Sequence, residues 1–369
     1  MGTHTLEIVP VKRALLLFLA FSAQTFGAGL GSYPDLVVSD LATGSRTGVH
    51  VTYLGTNGYQ FEFKGHALLV DPYFSRVDLV SVATGSRIQP DISRIADGMR
   101  RLASGNCRMD AILVTHGHFD HLLDVPIITL KTHARLIASR SSIDLVRRLP
   151  DAGPIAKRFD PVTAGDIRRI GPWKIRVLPA THDRLFGKVP FNGREPPRAG
   201  LPAEAAYSAE AAAKAGSAKA GPPQRASDWI CGEPLAFLIE INGQRIYIDS
   251  GGTPAQLPPN ESGSRRMDLA ILGMALPDSR ARLPAALERL QPRYVLPSHQ
   301  DNFFRPLNLG FQFGPLTDFP RVQRDCARAS RSRLILLDYF RPWTLPAAVN
   351  PKSQPPNPKA RDHGLHGWH

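Results

Sequence analysis

The chain has 369 residues, 43% of them hydrophobic and 21% charged, which excludes wholesale disorder and collagen-like or coiled-coil architectures. With 45 basic against 32 acidic residues, the formal net charge is +13, a balance that favours acidic partners such as anionic lipid headgroups or phosphorylated substrates. The arginines are scattered and not gathered into one aromatic-interleaved patch, so the sequence does not favour nucleic acid. Three cysteines (Cys107, Cys231 and Cys326) form no CxxC pair and no even-numbered framework, leaving one bridge or none.

Lys12 and Arg13 precede an apolar run from Ala14 to Phe21, and small residues follow at Ser22, Ala23 and 27–29. That order predicts a secretory signal or a retained N-terminal anchor over residues 1–29, with an exported (periplasmic or secreted) protein as the expectation. After a loose stretch to Gly48, β-type runs are predicted at Val49–Leu54, Tyr59–Phe63 and Ala67–Val70, with Lys64-Gly65 as the turn between the last two. A helix is predicted over Ile92–Leu102, a buried strand over Asp110–Val114 and a helix near Leu122–Leu130. A strand at Ala134–Ala138 and a helix at Ile143–Leu149, capped by Ser141 or Ser142, continue the alternation.

A strand at Lys174–Leu178 leads to Thr181-His182, and composition then shifts. From Gly193 to Ser227 the chain is rich in Ala, Pro, Gly and Lys and reads as a long insertion that flanks or covers a functional cleft. Order resumes at Leu235–Ile241, Asn242-Gly243 and Gln244–Ile248, a hairpin signal. Strand Leu269–Leu272, helix Pro284–Leu290 and strands Tyr294–Leu296 and Leu334–Leu337 follow, and the tail from Pro351 reads as disordered. Hairpin strands followed by alternating helix and strand, twice over, predict an α/β fold with two sheets inside and helices outside.

Chemistry concentrates directly after the buried strand ending at Val114, in Thr115-His116-Gly117-His118-Phe119-Asp120-His121. Imidazole nitrogens and a carboxylate at one strand end are the donors that hold zinc and similar divalent ions. Gly117 is expected to let the backbone turn tightly, so that alternate side chains converge.

This H-x-H-x-D-H run resembles that of the metallo-β-lactamase-fold hydrolase superfamily, and the resemblance spans residues 49–339. It implies a four-layer αββα sandwich with further ligands at downstream strand ends. His182 follows the strand ending in Pro179-Ala180, Asp249 follows Arg245–Ile248, and His299 follows Tyr294–Ser298. Carried onto this chain, the resemblance implies one ion on His116, His118 and His182 and a second on Asp120, His121 and His299, with Asp249 bridging. The ions would be two divalent metals, Zn2+ with Mn2+ or Fe as alternatives, and Asp120 would also be catalytic. Asp71, in Leu69-Val70-Asp71-Pro72, is either a carboxylate that supports the metal loop or an Asx-Pro turn. His50, His66 and His133 read as structural or exposed, and Asp301 reads as a solvated loop carboxylate.

The implied activity is hydrolysis by a water activated between two cations. Thr56-Asn57-Gly58 and Asp71-Pro72-Tyr73-Phe74 are most similar to the lactonase and N-acyl phosphatidylethanolamine phospholipase D branch. The expected substrate is a small or lipid-like phosphodiester or other anionic ester, with membrane-surface association allowed by the N-terminal segment. Lactone or carboxylic ester hydrolysis, or a catalytically inactive metal-binding surface protein, are the alternatives.

Overall fold

The computed structural model describes residues 29–40, 48–102, 107–184, 189, 221–251, 266–329 and 332–347. The expected signal, most of the 193–227 insertion and the C-terminal tail lie outside the described residues. Among those described, no helix is long and apolar enough to cross a membrane.

Two seven-stranded mixed sheets form the centre. The first contains β1 (Val49–Gly55), β2 (Gly58–Phe63), β3 (His66–Val70), β4 (Arg108–Leu113), β5 (Arg135–Ser139), β6 (Phe159–Val162) and β14 (Pro342–Leu345), in the order β14-β1-β2-β3-β4-β5-β6. The second contains β7 (Ile167–Ile170), β8 (Trp173–Pro179), β9 (Leu235–Ile241), β10 (Gln244–Ile248), β11 (Leu269–Gly273), β12 (Tyr294–Ser298) and β13 (Arg333–Leu334), in the order β13-β12-β11-β10-β9-β8-β7. In each half, an antiparallel ribbon passes into parallel strands at β3–β4–β5 and at β10–β11–β12. The hairpin turns follow from their residues. Lys64 and Gly65, and likewise Asn242 and Gly243, have positive φ at both central positions, as a two-residue turn between right-twisted strands requires.

Alternation sorts each strand between layers. Ala111 and Leu113 of β4 join Phe61, Val177, Phe237 and Ile248 in the apolar core between the sheets, while Ile112 and Val114 face a second cluster outside. That outer cluster is covered by α2 (Ile92–Arg101), α3 (Phe119–Leu122), α4 (Val125–Thr132) and α5 (Arg140–Arg147), with the short α1 (Leu79–Thr84) alongside. The second sheet is covered by α6 (Pro277–Leu290) and α7 (Phe319–Arg328) through Leu283, Leu287, Val322 and Cys326. The result is the expected αββα sandwich.

Several elements differ from expectation. The helix near 122–130 is two short helices, because Pro126 starts a new one after Asp124. Helix α5 is capped by Ser139, whose hydroxyl accepts the Ser142 amide, and not by Ser141 or Ser142. Helix α6 begins at Pro277, so Pro284 lies inside it and not at its start. Strand β14, beyond Tyr339, pairs with β1, and Leu36 and Val38 bond the backbone of Leu336. The three cysteines form no disulfide.

Candidate metal centre

The parallel strands of both sheets end at one edge, where loops can converge. Strand β4 runs into His116; His118 caps α3, and Asp120 and His121 lie on its first turn. His182 follows β8, Asp249 follows β10 and His299 follows β12. Six of the seven expected ligands form two triads, His116–His118–His182 and Asp120–His121–His299, each with its ligand atoms all within 4.8 Å of one another. Imidazoles from both triads touch, the His116 and His121 ring centroids being 4.0 Å apart.

In the first triad, His116 Nε2 lies 2.9 Å from His118 Nδ1, and the His182 ring stands edge-on to both. His182 Nδ1 donates to the Asp183 carbonyl at 2.8 Å, which turns Nε2 towards the other two. His116 Nδ1 is contacted by Ser250 Oγ at 3.1 Å. In the second triad, Asp120 Oδ2 lies 2.9 Å from His299 Nε2 and 3.4 Å from His121 Nε2. His121 Nδ1 is held by Asp71 Oδ2 at 2.8 Å, so the far nitrogen faces Asp120. Asp71 also accepts the Thr115 amide and hydroxyl and the Asn57 side-chain amide. It is therefore a supporting carboxylate, fixing the orientation of a candidate ligand.

The donor set fits divalent cations. Burial pushes His116 and His118 well below the ordinary imidazole range, with neighbouring imidazoles adding to the effect, and takes His182 to about 3. Their lone pairs are thus open to a cation. Burial opposes charge on Asp120 and His121, but the two outweigh it together. His121 rises to about 10 through Asp120 and Asp71, and Asp120 falls well below the carboxylate range through His121 and His299, so the metal-free pair holds a proton on His121 Nε2 that a cation would have to displace.

Asp249 belongs to neither triad. Its carboxylate accepts the Gly273 amide and the Tyr247 hydroxyl, each at 3.1 Å, and it is buried at the end of β10 beside the Ser250 that touches His116. The solvated reading of Asp301 is corrected. This carboxylate is fully buried, pairs with Arg76 Nη1 at 2.8 Å, and accepts the Thr56 amide and the Tyr339 hydroxyl. His66 and His50 have structural partners in Asp110 and Thr344, and His133 ends α4 in a left-handed conformation.

Gly117 lies in a bend that brings His116 and His118 together, as expected, and a second demand acts on it. Its φ is not positive; a Cβ there would lie 2.4 Å from the Ile230 carbonyl and 2.8 Å from a Leu145 methyl. The metal loop lies flat against residues 230–235, with Gly117 donating to Cys231 and Leu235 donating to Thr115. Gly117→Ala is expected to cost about 1–3 kcal/mol of stability, read by thermal unfolding of the apoprotein.

Sequence reasoning missed Arg282, which reaches from α6 to the Asp183 carboxylate and the Gly251 carbonyl, tying the loop of His182 to the loop of Asp249. It also missed Phe303, whose ring stands edge-on to His299 with centroids 5.1 Å apart. Neither residue carries a ligand-type signal; only the fold brings them to the site.

Residues 66–204 match a family model described as a beta-lactamase superfamily domain. A UPF0173 metal-dependent hydrolase of Carboxydothermus hydrogenoformans is 22% identical over 264 residues, which is 69% of this chain and 85% of the relative. A second protein of that description, from Methylobacterium nodulans, is 25% identical over 134 residues, 36% of this chain and 48% of its own length. Among solved structures, Igni18, a metallo hydrolase from Ignicoccus hospitalis, aligns with TM-score 0.49 and 16% identity, covering 82% of this chain and 100% of that one.

Proposed function

We propose that this protein, which has the metallo-β-lactamase fold and a beta-lactamase superfamily domain at residues 66–204, is a metal-dependent hydrolase with a two-ion centre. The observation that carries this reading is the pair of adjacent triads, buried except for the half-buried His182, each with the donors one ion needs. The relatives' description as metal-dependent hydrolases supports it. His116, His118 and His182 would hold one ion and Asp120, His121 and His299 the other, with Asp249 the candidate bridge. Two divalent cations there would supply Lewis acidity and lower the pKa of water.

The protein's own residues do the rest. Asp71 keeps His121 in one tautomer, and Asp183 does the same for His182 through its carbonyl. Asp120 would orient a water and hold the proton it gives up, and burial of every member of the triads but the half-buried His182 limits the access of bulk solvent.

The substrate we infer is a phosphodiester or other anionic ester, supported by the basic balance of the chain, with Phe303 offering an apolar wall for the rest of the molecule. Zn2+ suits the imidazole-rich donors, and the N-terminal run supports export. Protein purified without chelator is expected to hold close to two metals per chain by elemental analysis. It is also expected to hydrolyse bis(p-nitrophenyl) phosphate faster than a lactone, thioester or nitrocefin, and to lose turnover on chelation. Full activity in metal-free protein would overturn the reading; faster lactone turnover would replace the substrate class alone.

A further inference from the structure

We propose that the Thr56–Asn57 turn is a positioning element for the Asp120–His121–His299 triad, setting the affinity of that site separately from its neighbour; this rests on the two-ion reading above. The two halves of this triad come from opposite sheets. Asp120 and His121 follow β4 of the first, whereas His299 follows β12 of the second. Something must fix the distance between them.

The turn between β1 and β2 makes that connection with three hydrogen bonds to the 298–301 segment. The Thr56 carbonyl accepts the His299 amide at 2.7 Å and lies 3.2 Å from the Ser298 hydroxyl oxygen, and the Thr56 amide donates to Asp301 at 2.9 Å. Asn57 Oδ1 accepts the Ser298 hydroxyl at 2.6 Å, while its Nδ2 donates to Asp71 at 2.8 Å. Asp71 in turn holds His121. One primary amide thus joins the strand delivering His299 to the carboxylate orienting His121, and every group in the relay is buried.

The residue type is specified by this pairing. Asn57 must accept from a hydroxyl on one side and donate to a carboxylate on the other, which an acid or an aliphatic side chain cannot do. The backbone is also committed, since Thr56 and His299 both have left-handed φ, 55° and 54°, which β-branched and bulky residues seldom adopt without support. His118 packs against His116 and His182, and His182 bonds the Asp183 carbonyl, all of them on the side of the first triad. His116 meets the network at Thr115 Oγ1, 3.2 Å away, and at the His121 ring, and has Ser250 as a further polar contact outside it.

The test is competitive Zn2+ titration of apoprotein against a chromophoric chelator, with wild type, Asn57→Ala, Ser298→Ala and His299→Ala, and thermal unfolding of each apo form. Asn57→Ala and Ser298→Ala are expected to weaken one of the two ions about 10- to 100-fold, the usual effect of removing a group that orients a ligand. The other ion is expected to hold within about threefold on the same grounds. The surviving ion of His299→Ala identifies the unaffected site, and adding Asn57→Ala to it should leave that ion's affinity unchanged. Should Asn57→Ala fail to fold, Ser298→Ala carries the test from the other end of the relay. Equal weakening of both ions, or of neither, overturns the proposal while the two-ion reading stands. A wild-type stoichiometry below two overturns that reading and this proposal with it.

Discussion

Replacing Asp249 with asparagine is expected to lower kcat by about two to three decades, equivalent to about 3–4 kcal/mol of barrier, while apoprotein stability changes little. The stability half of this expectation comes from the hydrogen bonds. Gly273 donates to Oδ1, and an asparagine carbonyl at that position accepts it equally well. The Tyr247 hydroxyl donates to Oδ2, but it can rotate and accept from an amide instead. The catalytic half comes from charge. A carboxylate can offer an oxygen and half its charge to each of two cations, whereas an amide offers one neutral oxygen. Elemental analysis and kcat are the measurements. Near-wild-type turnover with two bound metals would show that Asp249 only closes the turn after β10.

The second large effect is on the fold. Removing the guanidinium with Arg76→Met is expected to cost about 3–5 kcal/mol, because it strands the buried Asp301 carboxylate. Arg76 is itself enclosed between the rings of Tyr73 and Tyr339, so no solvent replaces it. The pH dependence has a definite sign. Burial alone would raise Asp301, but Arg76, with the Tyr339 hydroxyl, pulls it below the ordinary carboxylate range. A depressed folded value contributes stability above the unfolded value of about 3.9 and loses it as pH falls through the folded one. The gap between wild type and Arg76→Met in urea midpoint should therefore be full at neutral pH and narrow in acid. A constant gap would mean that the loss is one of packing alone.

The candidate ligand cluster is legible because metal chemistry restricts residue type and its first four residues are local in sequence. His182 and His299 were legible only in company, through their positions after strands. The Arg76–Asp301 pair was not, since 225 positions separate the partners and a single carboxylate after a histidine looks like any loop residue. Boundaries failed where proline was ambiguous. Pro284 reads as a helix start but sits inside α6, and β14, for which no strand was expected, opens on Pro342 as an edge strand that needs no ladder donor there. At Gly117 the bend is legible and the second constraint is not, since close approach by residues 230–231 leaves no local trace.

The pairing of β1 with β14 bears on how the chain is made. During synthesis, β1 emerges almost 300 residues before Pro342–Leu345, its neighbour at the sheet edge. A nascent chain must therefore carry a bare strand edge until β14 is made, the kind of edge that invites pairing with another chain. The candidate ligands leave the ribosome in a matching order. His116, His118 and His182 are all present before β9 is made, but the second triad waits for His299. Were two ions bound, loading during synthesis would then be sequential, with the first available to stabilise a partly made domain and the second arriving only after β12 has been made.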